Sequence, residues 1–501
     1  LGQGSLFRRK EWARAGDAAD REDDARGGPS PPVTLARSLG AFDLTLLGVG
    51  AIIGAGIFSS VGQMAAGGPG HPGAGPALIL SFLMTAGACG LSAFCYAEIA
   101  ALVPAAGSAY TYAFVALGEL PAWIIGWDLI IEYAVGNIYV AQSWADYFRS
   151  LLRSGLGLDF PDWMATDLQT AARDPVMHAL APKLATPFGT IAVAFNLPAA
   201  LIVVALTVVL VVGVRASARF NAGMVLFKLL LVLGFIGVGA AYVRPVNWRP
   251  FAPNGFHGVW AGASLAFFSY IGFDAISTVA EETRNPQRDL PRGMIGSLVI
   301  CSVLYIGVAA VMTGLVPYAR LDTGDPLALA LRVVGLEKLA TLMSLGAVVA
   351  MTAVLLVFQL GQPRILLAMA RDKLLPASFA SVHPRFRTPH RGTIATGLFV
   401  ALMPTFITQD QALELTSIGT LFAFIVVAMG VIALRIREPD RPRPFRCPGY
   451  PVTPALAILA CTGLMLGLPA ANWWRFGIWL LIGLAIYFGY GRPRRRQSIP
   501  D

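Results

Sequence analysis

Apolar stretches about twenty residues long recur along this chain from about residue 41 to residue 490, parted by short polar, basic or Pro/Gly-rich segments. Roughly 20 apolar residues in helical form cross the hydrocarbon core of a bilayer. The pattern predicts twelve spans, near 42–61, 77–102, 109–146, 191–213, 220–243, 258–280, 294–316, 336–362, 392–408, 413–434, 452–470 and 473–490. The third is longer than a crossing needs and is expected to tilt. A barrel would show short alternating segments instead, so the chain reads as an all-α integral membrane protein.

The polar segments orient it. With the N-terminus in the cytoplasm, the inner segments (1–40, 214–220, 281–293, 364–391, 435–450 and 491–501) carry 27 Lys and Arg, the outer ones 10, and Lys228 completes the 38. That excess places both termini on the cytoplasmic side. It also accounts for the net charge of +9 without any nucleic-acid partner. With 56% hydrophobic and 13% charged residues, the composition excludes an ordinary soluble domain.

The N-terminal tail, 1–38, is polar and lacks the charged-then-apolar pattern of a cleaved signal peptide. The five cysteines have no metal-site spacing, no disulfide framework is expected, and no metal is assigned. The outer segment 147–190 is the longest connection and contains a candidate amphipathic surface helix.

Two spans are interrupted. "LLGVGAIIGAGIFSSVG" sets Gly48, Gly50, Gly54 and Gly56 too densely for a rigid helix, each weakening it by about 1 kcal/mol. Close packing against a neighbouring helix is one reading. The other is an unwound point near Gly54-Ala55-Gly56, whose exposed amides face an anion. The sixth span, "SLAFFSYIGFDAISTVAEETRNPQRDLP", has Gly272 followed by Asp274, an acid within an apolar run. Interruptions in the first and sixth spans fall at equivalent places if five helices repeat, inverted, in the next five. Such a site suits a zwitterion, its carboxylate at half-helix N-termini and its ammonium at freed carbonyls.

The stretches "GVGAIIGAGIF", "CYAEIAALVPAAGSAYTY", "IIGWDLIIEYAVG", "FFSYIGFDAISTVAEETRNPQRDLPRG" and "GQPRILLAMARDKLLP" resemble the amino acid–polyamine–organocation superfamily. Within it they are most similar to bacterial members of the cationic amino acid transporter subfamily. The likeness runs from about residue 35 to 490, leaving out 147–190. It implies two inverted five-helix repeats, 39–243 and 244–434, two further helices within 435–490, a cytoplasmic tail at 491–501, and helices 1 and 6 unwound at mid-membrane. Carried over by position, the amides near Ala55 and Gly56 receive a substrate carboxylate. The carbonyls of Ile52, Phe268 and Ile271 receive its ammonium. Relatives often carry a hydroxyl where this chain has Ala55, which leaves backbone donors alone there. A small membrane protein subunit is a further partner for such a chain, beside amino acid substrate and membrane lipids.

Lys228, in "NAGMVLFKLLLVLGFIG", lies about eight residues, roughly 12 Å by helical rise, from the inner end of the fifth span. Its stem could snorkel toward water. The resemblance favours another role. Sodium-coupled relatives hold an ion between the first and eighth helices, and proton-coupled ones fill that place with a fifth-helix lysine, which Lys228 matches. Burial favours the neutral amine and carbonyls near Gly50 to Ile53 favour the charged one, so a single amine can load and release a proton. Glu132, in "GWDLIIEYAVG", matches a family acid near the substrate cavity; it either tunes selectivity or serves as a structural partner. Asp128 reads as structural. Glu98 lies near the inner mouth, and Glu281, Glu282 and Arg284 resemble charges that close the inner path. Phe358, one turn before Gln362 on the eighth helix, either shortens the pocket in favour of small neutral amino acids such as alanine or packs as an ordinary helix residue.

No P-loop, nucleophile elbow, HExxH or Cys/His cluster points to an enzyme. The expected function is proton-coupled import of amino acids across a bacterial plasma membrane, with no cofactor beyond the proton. The alternatives are an uncoupled exchanger or facilitator, which could take cationic amino acids, and a sensor that binds without transport.

Overall fold

The computed structural model describes Phe7, Arg9 and residues 39–493, apart from 69, 104–107, 187–188 and 214–217. The tails expected at 1–38 and 491–501 lie almost wholly outside the described residues.

The apolar runs fold as helices, and their ends fall where the sequence supplies stops. The first run forms α1 (Ala41–Ile52), breaks, and resumes through a π-turn at Gly56–Ser60 into α2 (Val61–Ala66), bent by 47°. Next come β1 (Gly67–Gly68) paired with β2 (His71–Pro72), then α3 (Leu78–Leu102), α4 (Ser108–Ala116) and α5 (Glu119–Leu156). Residues 109–146, read above as one span, are therefore two helices. The apolar run is continuous, but Gly118 at φ +110° turns the chain, and a β-carbon there would strike the backbone of Phe7.

The outer segment holds two short helices, α6 (Leu168–Arg173) and α7 (Pro175–Leu180), and an antiparallel hairpin of β3 (Lys183–Thr186) and β4 (Gly189–Ala192). Asp167 starts α6 by accepting the Thr170 amide at 2.8 Å, and Asn196 starts α8 (Leu197–Val212) by accepting that of Ala199. There follow α9 (Ala218–Ala240), α10 (Gly255–Ala266) and two 3-10 turns, Phe267–Tyr270 and Asp274–Glu282. The remaining helices are α11 (Pro286–Leu315), α12 (Pro326–Val333), α13 (Glu337–Arg371), α14 (His390–Leu402), α15 (Gln409–Arg437), α16 (Val452–Leu466) and α17 (Ala470–Ile486). Thr408 and Gln411 close a reciprocal cap at the start of α15.

Among the described residues, eight helices are long and apolar enough to cross a membrane, nine if the bent first pair is one span. Three expected spans are shorter: α8 has 16 residues, α14 has 13 and α16 has 15. At 1.5 Å per residue the longest of them reaches about 24 Å, less than the roughly 30 Å core.

The packing has two groups. α11 runs along α3 and α1, and α10 joins them; α5 lies along α13, and α8 along α14. α15 touches both groups. At one end of α3 the buried carboxylate of Glu98 receives Arg435 in two bonds (2.9 and 2.7 Å) and the Cys447 amide (2.7 Å), with Arg443 at 3.3 Å. Glu98, expected near an inner gate, thus clasps α3 to α15 and the segment beyond it. Glu98→Ala leaves two guanidinium groups without their anion, and we expect it to cost on the order of 3 kcal/mol, the low end for a broken buried pair because Arg435 keeps some solvent contact. A lowered unfolding temperature in detergent is the measurement; an unchanged one removes the clasp.

Candidate substrate and coupling site

The site is built where the two interrupted spans cross. α1 ends because Ile53 turns to an extended conformation (φ −73°, ψ 101°), and the carbonyl of Gly54 then accepts the amides of Ile57 and Phe58 at 3.2 Å. Among the described residues, no hydrogen bond beyond the helices' own uses the amides of Gly54, Ala55 or Gly56. They are buried and stand at the start of a half-helix, where an anion is favoured.

In the other span Ile271 turns extended and Gly272 takes φ +124°. Asp274 accepts the Gly272 amide at 3.2 Å, so this intramembrane acid caps its own break. The backbones meet at two points. A β-carbon on Gly56 would lie 2.5 Å from the Ser269 Cα, and one on Gly272 would lie 2.9 Å from the Ala51 carbonyl carbon. Close approach is thus one part of the glycine pattern and unwinding the other; the two readings describe the same residues.

The carbonyls expected to take an ammonium are partly engaged. Ile52 O lies 2.9 Å from the Tyr305 hydroxyl, as does Ser269 O, and Phe268 O accepts the Ile271 amide at 3.2 Å. A carbonyl oxygen has a second lone pair, so each can still accept. Tyr305, on α11, brings one hydroxyl proton to two carbonyls, one from each broken span. It was missed in the sequence, although a tyrosine within "CSVLYIGVAAV" is a polar group in an apolar span.

Lys228 is 1% exposed, and its ammonium donates to Gly50 O at 2.9 Å and Ile53 O at 3.2 Å. Snorkelling does not describe this geometry. The amine takes the carbonyls that the ending of α1 leaves without helical partners. α9 can come this close because Gly50 faces Val225.

The remaining wall comes from α5 and α13. Glu132, Gly136 and Tyr139 share one face of α5 at spacings of four and three. Phe358 rests on Gly136, with its ring 5.5 Å from that of Tyr133, and Phe268 packs edge-on against Tyr139 at 4.8 Å. One turn before Phe358, Val354 sits against Gly54. The structure therefore brings Ile52, Ala55, Gly56, Phe268, Ile271 and Phe358 to one place, with Lys228 behind the first break. Glu132 is buried beside the Thr420 hydroxyl, within electrostatic reach of Asp128 and Asp274. Asp128, expected to make a structural bond, makes none among the described residues; both its oxygens are buried near Gly419. At the end of the sixth span Leu39 pairs with the Glu282 carbonyl and the Arg284 amide, and the Glu281 side chain lies outside what is described.

Residues 39–487 match the family model described as amino acid permease. A branched-chain amino acid permease of Bacillus subtilis is 46% identical over 99% of this chain and 100% of its own length. A methylthioribose transporter of the same organism is 44% identical over 92% of this chain and 94% of its own. A chloroplastic cationic amino acid transporter of Arabidopsis thaliana is 37% identical over 90% of this chain and 77% of its own.

Proposed function

Because this chain belongs to the amino acid permease family, we propose that it is a proton-coupled secondary transporter importing neutral aliphatic amino acids across a bacterial plasma membrane by alternating access. The observation that carries this reading is the Lys228 amine on two carbonyls of the first break, directly behind the amides that would take a carboxylate. One proton on that amine changes the charge on the break itself. The backbone donors and acceptors of the breaks suit the part common to all α-amino acids.

We read the spans as two inverted five-helix repeats followed by α16 and α17. The two-group packing supports this order: the first and second spans lie with the sixth and seventh, the third and fourth with the eighth and ninth. Phe358 sets the far wall. Its bulk against Gly136 favours short apolar side chains, from alanine toward the branched-chain residues named for the Bacillus subtilis relative.

The testing experiment is uptake of an amino acid panel into proteoliposomes, with and without an inward proton gradient. Gradient-driven accumulation of neutral amino acids is expected; equal uptake with and without the gradient favours the uncoupled exchanger. Phe358→Ser opens the wall and should extend competition binding toward larger or cationic amino acids, lowering alanine preference over arginine by about tenfold, the scale of one or two methylenes in a pocket. Identical competition profiles for variant and parent remove Phe358 as the filter.

A further inference from the structure

At the end of α5 opposite Glu119 lies a cavity of about 980 Å³ that the site above does not use. Its lining includes Asp146, Arg149, Asp162, Asp325 and Arg332, with Trp163 among its apolar members. Most of these charges already neutralise one another. Arg149 pairs with Asp162, Arg332 pairs with Asp325 at 2.6 Å and donates to Ser150 at 3.0 Å, and Arg153 meets Asp159 at the exposed rim.

Two groups keep unused hydrogen-bonding capacity, the Asp146 carboxylate and one N–H of Arg149, whose charge Asp162 already balances. Among the described residues Asp146 makes no ion pair, and it accepts a long hydrogen bond from Gln409 at 3.4 Å. The Nε of Arg149 is buried without an acceptor. Asp146 and Arg149 are three apart on α5, on one face, with β-carbons about 5–6 Å apart. An unpaired carboxylate and an unpaired donor at that spacing match an ammonium and a carboxylate on one carbon.

The floor of the cavity leads to the break. Gln409 joins Asp146 to Ser143 (2.9 Å) and Ser59 (3.4 Å), and Ser59 donates to Gly324 O at 3.1 Å. Tyr147, next to Asp146, donates to Phe58 O in the half-helix that starts at Gly56. Gly324 leaves no room for a β-carbon over Asp146, so one layer of loop separates the cavity from that half-helix.

We propose that this cavity is an entry site for the zwitterionic head of an α-amino acid, with Asp146 receiving the ammonium, Arg149 Nε the carboxylate, and Trp163 bordering the side chain. The inference rests on the amino acid transport reading. It predicts two bound amino acids per chain at saturation, one here and one at the crossed breaks.

Equilibrium binding of radiolabelled alanine and leucine to the purified full chain tests it. Two equivalents are expected for the parent, one for Asp146→Asn or Arg149→Gln, and one for Gly56→Val. A second measurement does not depend on those variants folding well. The five natural cysteines are buried, and Ser154 is exposed at the cavity rim. In Ser154→Cys, a saturating amino acid should slow thiol labelling by an impermeant maleimide at least threefold, and Asp146→Asn should abolish that protection. One equivalent in the parent, or protection that survives Asp146→Asn, overturns the entry site while leaving the transport reading intact. No binding of any amino acid to the parent overturns both.

Discussion

Lys228→Met is expected to abolish the proton-driven accumulation of substrate proposed above and the pH dependence of uptake. The substitution keeps the length of the side chain and its burial against Gly50 and Ile53 but removes the amine that donates to both carbonyls and can change charge. A tenfold difference in proton affinity between two conformations is worth about 1.4 kcal/mol in biasing a transport cycle. Methionine also leaves two buried carbonyls without their donor, each at a cost of about 1–3 kcal/mol. Lys228→Gln, which restores a donor but not titration, separates the two effects: it should recover stability without recovering coupling. Uptake into proteoliposomes with and without an inward proton gradient decides the matter. A Lys228→Met protein that still concentrates substrate in response to the gradient rules out the amine as the coupling group.

Gly56→Val is expected to abolish amino acid binding at the crossed breaks, a loss of at least a hundredfold in affinity there. Its β-carbon would stand 2.5 Å from the Ser269 Cα, a backbone atom that cannot swing away, and its methyl groups would cover the amides of the half-helix. Overpacking of this kind typically costs 1–3 kcal/mol, so the variant is checked for a monodisperse elution profile before binding is read. Unchanged affinity at that site in a folded variant would mean that the carboxylate binds elsewhere.

Much of this site was legible in the sequence because its cause is local. Glycine density marked the first break, and Gly272 with Asp274 marked the second. Lys228 was visible as the one lysine inside a span, yet its acceptors were legible only through the resemblance, since Gly50 and Ile53 lie some 175 positions away. Tyr305 escaped because its hydroxyl matters only where two other spans cross. The turn at Gly118 escaped because an apolar run does not record a change of direction. Segment 147–190 was least legible: Arg332 reaches Ser150 across 182 positions, a pairing no periodicity encodes.

The place of the Lys228 amine has an electrical consequence. A zwitterion carries no net charge, so under the proposed coupling each cycle moves one positive charge, that of the proton borne by this amine. Transport is then electrogenic, and the membrane voltage does work on it of about 2.3 kcal/mol per 100 mV, enough for a roughly fifty-fold concentration ratio. A cell could fill with substrate at equal pH on both sides, drawing on voltage alone.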